Sequence, residues 1–181
     1  MKRKEVMQNF TTPLYLACHK EHSKLKYIYF KDDYAFACDA KILIKQSLCY
    51  HNIEGVKYLN GNCLLAEDYK KILKFKRVVA KEKCIVCFDK DDNKTVFAYG
   101  KETPFDFDFV INRWKECECG NIFANSILLE NAAKCLYNYN SNKYRPCKYT
   151  FLIDENINAV KIECSEKDFE NQFAIVMTLS N

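Results

Sequence analysis

The stretch DDYAFACDAKILIK, Asp32 to Lys45, decides how the chain is read. Tyr34, Phe36 and Cys38 alternate with small residues, and Ile42, Leu43 and Ile44 follow as an apolar run. Both patterns predict β-strands. Between them stands Asp39-Ala40-Lys41, a polar break with neither Gly nor Pro to make the turn. An Asp can hold such a bend by accepting hydrogen bonds from backbone amides just ahead of it. The stretch is either a plain hairpin or a bend held there because something uses it.

Outward from the hairpin, the same grammar recurs. GNCLLAEDYKKILKF and FANSILLENAAKCLYNY share an Asn, an apolar pair and a helical pattern. Leu65, Tyr69, Ile72 and Leu73 form one apolar stripe, and Leu129, Ala132, Ala133 and Leu136 form another. Glu67 and Asp68 open the first helix and Lys74, Lys76 and Arg77 close it, the order the helix dipole favours. Asn125 or Ser126 caps the second. Strands are expected after each helix, at Lys83–Phe88 and Lys94–Tyr99, then at Tyr149–Ile153, Ala159–Cys164 and Gln172–Leu179. In the N-terminal third, Thr12 and Pro13 predict a helix start, with the helix running to about His22. Strands Leu25–Phe30, Tyr34–Cys38 and Lys41–Lys45 complete that unit. Three helix-plus-strand units, near 1–60, 61–115 and 116–181, imply an α+β fold with helices on one face of antiparallel sheets.

Composition narrows the class. The 181 residues are 49% hydrophobic and 14% aromatic, enough to bury a core. Only 4 Gly and 3 Pro argue against a Gly-lined cofactor site, and a net charge of +4 permits contact with an acidic partner without demanding it. Eleven cysteines, an odd number lying mostly inside apolar runs, read as small core residues in a reducing, cytoplasmic protein. LYLAC resembles a lipoprotein cleavage box, but the preceding Glu5, Gln8, Asn9, Thr11 and Thr12 are too polar for a signal core. The sequence has no apolar run long enough for a membrane span. Cys84, Cys87, Cys117 and Cys119 offer four thiolates to zinc, yet positions i and i+3 of a strand face opposite sides. His19 and His22 have no third ligand beside them, and the chain carries no nucleophile elbow, phosphate loop or dinucleotide fingerprint. No enzyme, cofactor or metal site is expected.

With the units laid out, YAFACDAKILI resembles the vATDGhRLa segment of the bacterial DNA polymerase III β subunits, the sliding-clamp family. The likeness runs in order along the chain, through LACHKEHSKLKYIYF, NCLLAEDYKKIL, TPFDFDFVINRW, GNIFANSILLENAAKCL and the terminal AIVMTLSN. The resemblance implies a DNA-clamp fold, with a complete clamp-like domain at 1–115 and half of another at 116–181. The family's Gly, His and Arg are Ala40, Lys41 and Ile42 here, and a Pro is Thr178. It further implies a processivity factor whose helices face duplex DNA, in a ring closed by self-association. Lys20, Lys24, Lys70, Lys71, Lys74 and Lys134 are the expected phosphate contacts. A pocket for peptides of DNA polymerase or other replication proteins is implied at Cys38, Ala40, Lys41, Ile42 and Leu43 with Ile175, Val176, Met177 and Leu179. That pocket requires the Asp39 bend to lie beside the C-terminal strand, Ile42 and Leu43 against Ile175 to Met177. The alternative is a clamp-derived interaction module that does not encircle DNA.

Overall fold

The computed structural model describes residues 10–49, 51–103, 105–118, 122–136, 147–155, 157–164 and 171–178. Strands β1 (Tyr27–Lys31), β2 (Tyr34–Cys38) and β3 (Ile42–Ser47) form a meander. The β1–β2 turn is Asp32-Asp33 with both φ values positive, at 50° and 64°, the left-handed pair that suits a two-residue hairpin. The β2–β3 turn is the polar break. There the Asp39 carboxylate accepts from the amides of Lys41 (2.8 Å) and Ile42 (2.7 Å), while Ala40 takes a φ of 75°.

After β3 come the short β4 (Ile53–Glu54), β5 (Cys63–Leu65), helix α1 (Ala66–Ile72), and strands β6 (Arg77–Ala80), β7 (Cys84–Phe88) and β8 (Lys94–Ala98). Helix α2 (Phe107–Asn112), strand β9 (Lys115–Glu116), helix α3 (Ser126–Cys135), strands β10 (Cys147–Asp154), β11 (Ile157–Cys164) and β12 (Phe173–Met177), and 3-10 turns at Leu14–Ala17 and Val56–Tyr58 complete the described elements. They build an eight-stranded sheet of order β5-β1-β2-β3-β12-β11-β10-β9 and a four-stranded sheet of order β4-β6-β7-β8. All pairings are antiparallel except β4 with β6. The protein is mixed α+β with mostly antiparallel sheets and few helices.

The middle of the large sheet is closed by β3 and β12, paired Lys45 to Phe173, Ile44 to Ala174, Leu43 to Ile175 and Ile42 to Val176. The ladder is extended by the Met177 amide, which donates to the Lys41 carbonyl at 2.8 Å. Residues near the two ends of the sequence thus share one seam, as the Asp39 bend required.

Both faces of the middle strands β1, β2, β3 and β12 are largely dry, because alternate residues of these strands enter different cores. On one face Ile28, Ile42, Ile44, Ile162 and Val176 pack with Leu14, Tyr69, Ile72, Ala132 and Cys135. The same core also takes Val78, Ile85 and Cys87 of the four-stranded sheet. On the other face Tyr29, Phe36, Leu43, Ile175 and Phe173 pack with Phe107 of α2. The Phe36 and Phe107 rings stack at 4.7 Å. Fully burying each of these large side chains contributes roughly 1.5–3 kcal/mol.

Three expectations are corrected. The helices do not share one face, since α2 lies on the opposite side from α1 and α3. Its N-cap, Asp106, accepts from the Phe109 amide at 3.0 Å. The N-terminal helix is a single 3-10 turn, Leu14–Ala17. Cys18 is extended, and His19 Nδ1 accepts from the amides of Glu21 and His22, which folds a turn where a helix would continue. Lys74, Lys76 and Arg77 do not close α1. Arg77 belongs to β6 and makes two bonds to the Glu54 carboxylate of β4, at 2.6 and 2.8 Å.

Candidate functional site

The 3-10 turn Leu14–Ala17 sits between α1 and α3, and the three form one layer over the large sheet. The layer exists because each unit turns its apolar stripe inward: Leu14 and Ala17, then Tyr69 and Ile72, then Ala132 and Cys135. Tyr69 is locked there by donating its hydroxyl to the Thr12 carbonyl at 3.0 Å. The opposite sides of these segments face solvent and carry the expected cations. Lys70 and Lys71 stand on α1, Lys74 just beyond it, and Lys134 on α3, all exposed. Lys20 and Lys24 are exposed in the connection from the 3-10 turn to β1.

Not every one of these ammonium groups stands alone. Lys71 donates to Asp68 at 2.8 Å and Lys134 to Glu130 at 2.6 Å, and each pair is solvent-facing. Exposed pairs of this kind hold weakly, so both remain open to exchange with another anion. Lys70 lies over the Tyr15 ring at 5.2 Å. Around that contact the layer has a concavity of about 520 Å³ lined by Tyr15, His19, Lys20, Lys26, Glu67 and Lys70. Lys26 falls inside the strand that the sequence predicts at Leu25–Phe30, and its spacing of two from Lys24 is the signal that points to this surface. A second depression gathers Lys71 and Lys74 beside Phe75 and Phe97.

The expected peptide pocket divides. Ile42 and Val176 are core residues under the helix layer, whereas Leu43 and Ile175 are core residues under α2. Residues on opposite faces of one sheet cannot line one groove. Ile175 does border a small depression of about 140 Å³ with Ile111 and Trp114 on the α2 side. What stays accessible is the rim: Ala40 and Lys41 exposed, with Cys38, Met177 and Thr178 half-buried. Cys38 Sγ accepts from the Ala40 amide at 3.3 Å, and burial raises its thiol pKa. Leu179 lies outside the described residues.

For the cysteines and histidines weighed for zinc, Cys84 pairs across the ladder with Ala98 and Cys87 with Thr95, on opposite faces of β7. Burial pushes the Cys87 thiol up to about 12. Cys119 lies outside the described residues. His19 and His22 each spend Nδ1 on two backbone amides, which leaves Nε2 as the outward nitrogen. Among the described residues no group of three or more His, Cys, Asp or Glu could hold a metal ion. No helix among them is long and apolar enough to cross a membrane. In comparisons with protein-family models, curated proteins and solved structures, the chain matches none.

Proposed function

We propose that this chain is a clamp-like accessory protein of DNA replication, working in the cytoplasm without catalysis, that lies along duplex DNA without reading its sequence. The observation that carries the reading is the layer of the 3-10 turn, α1 and α3, around which Lys70 on α1, Lys74 just beyond it, and Lys20 and Lys24 in the connection to β1 are exposed. Ammonium groups on such a surface neutralise phosphates and release counterions, and they leave the protein free to slide. The repeated helix-plus-strand units and the β3–β12 seam support a clamp-type fold, with a two-unit part at 1–115 and one further unit at 116–181.

The test is fluorescence anisotropy of a labelled duplex. Wild-type binding is expected to be insensitive to sequence and to fall steeply with salt. Exchanging Lys70, Lys71 and Lys74 together for Glu should abolish it. Unchanged binding in that triple variant would remove the helix layer from the DNA.

A second reading, an interaction module that does not encircle DNA, is favoured by the pairing of Lys71 and Lys134 with Asp68 and Glu130. Its binding element is the rim at Ala40, Lys41, Met177 and Thr178, which suits an apolar tail of a replication protein. A ring requires closed self-association and the module does not. Sedimentation as a monomer with and without duplex DNA would leave the module.

A further inference from the structure

Among the described strand pairings, one sets a cysteine directly opposite a cysteine: Cys147 on β10 faces Cys164 on β11. Which kind of pair this is can be read from the neighbouring strands. The Phe151 carbonyl accepts from the Cys117 amide at 3.1 Å, so it points away from β11. The Asn158 carbonyl accepts from the Thr178 amide at 3.0 Å, so it points away from β10. The pairs Phe151–Val160 and Ile153–Asn158 therefore do not exchange backbone bonds across the β10–β11 ladder. Backbone bonding alternates along an antiparallel pair, and the register runs without a bulge from Asp154–Ile157 to Cys147–Cys164. Counting two residues at a time from Phe151 gives Tyr149–Ile162 and then Cys147–Cys164 as non-bonded pairs.

At such pairs the Cα atoms come to about 4.5 Å and the side chains lean together on one face. A disulfide needs a Cα separation of about 4.4–6.8 Å, so these sulfurs can be joined without moving either strand far. Both side chains are half-buried, within reach of a small reagent. Cys135 differs: it is sealed in the core, its Sγ donates to the Pro13 carbonyl, and burial pushes its thiol up to about 12. Thiolate is the attacking species, so that position is inert.

We propose that Cys147 and Cys164 are an oxidative modification site, forming an intrachain disulfide by exchange with a small-molecule disulfide such as glutathione disulfide. One thiolate attacks a sulfur of the reagent, giving a mixed disulfide and releasing one reduced glutathione. The second thiolate attacks the protein sulfur of that mixed disulfide, closing the Cys147–Cys164 bond and releasing the second glutathione. The two cysteines lose two electrons and two protons, and the reagent's two sulfurs leave as thiols. The bond lies at the end of the hairpin where the chain arrives from α3 and leaves toward β12, and so ties the helix layer's connection to that of the seam.

The experiment treats the full-length protein with glutathione disulfide, blocks remaining thiols with iodoacetamide, and maps tryptic peptides by mass without reduction. The expected product joins peptide 144–148 to peptide 162–167, with two hydrogens lost. It disappears after dithiothreitol, and it is absent from Cys147→Ser and Cys164→Ser, which keep only a glutathione adduct on the remaining cysteine. Glutathione adducts on both cysteines of the wild type without the joined peptide would overturn the proposal. So would a link from either peptide to a different cysteine. The wild-type map decides the question even if a serine variant folds poorly.

Discussion

The seam of β2, β3 and β12 and the outer strand β8 use similar residues in different surroundings. Val176 in β12 is 0% exposed and Val96 in β8 is 52% exposed. Strand β12 has a partner on each edge and a packed core on each face, so four successive residues, Phe173 to Val176, are buried. Among the described residues strand β8 has one partner, β7, and of its five residues only Phe97 is buried. The difference explains the residue patterns. Where both faces are dry, apolar residues run consecutively, as in Ile42-Leu43-Ile44; where one face is wet, they alternate. Stability is therefore expected to concentrate in the seam and thin out toward the four-stranded sheet.

The largest expected effect breaks the seam itself. Ile44→Ala should cost about 2–5 kcal/mol in urea unfolding, through lost burial and the cavity left behind. Val96→Ala should stay within about 0.5 kcal/mol. Equal costs at the two positions would dissolve the contrast.

The next effect sharpens it at the β2–β3 turn. Asp39→Ala removes two bonds from a carboxylate to backbone amides and should cost about 1–3 kcal/mol. Ala40→Gly should work in the other direction, stabilising by up to about 1 kcal/mol, because Ala40 holds a left-handed backbone conformation that glycine adopts freely. A stabilising Asp39→Ala, or a destabilising Ala40→Gly, would show that the turn does not govern the seam.

The smallest effect concerns the four-stranded sheet. The Arg77 guanidinium, bonded to Glu54, holds its carboxyl below the usual carboxylate range. A depressed carboxyl pKa contributes stability above the unfolded value of 4.5 and loses it as the pH falls through the folded value. The pair is solvent-facing, so its contribution is small. Glu54→Gln should lower Tm slightly at neutral pH and leave it unchanged in acid. A Tm difference that persists in acid would assign the effect to packing.

Much of this contrast was legible in the residues. Alternation and short apolar runs found β2, β3, β7, β8, β11 and β12 within a few residues, and the helical stripes found α1 and α3 with Asn125 as cap, accepting from Ile127 at 2.9 Å. Helix α2 was not legible because PFDFDF alternates apolar and acidic residues like a strand. Only the Asp106 cap and the Phe107 contact with Phe36 turn the segment into a helix. Strands β4 and β9 are two residues long and carry no period at all. At the candidate site, Lys70, Lys71 and Lys134 could be placed on helices from sequence, whereas Lys20, Lys24 and Lys74 fall outside them, and the pairing with Asp68, Glu130 and the Tyr15 ring was not foreseeable. The rim shows a similar split. The bend and its partner strand were foreseeable, whereas the burial of Ile42, Leu43, Ile175 and Val176 depends on α2 and α3 covering both faces.

The β3–β12 seam also sets an order of events on the ribosome. Strand β3 emerges early, with its apolar run made and one edge unpaired, and it waits for most of the remaining chain before β12 arrives to cover that edge. An apolar edge left open is a template for pairing with other chains. Translation that stalls between β3 and β12, or a chain cut short before Phe173, therefore yields a species prone to aggregate rather than a smaller folded protein. How long that edge stays open is set by how fast the second half of the chain is made.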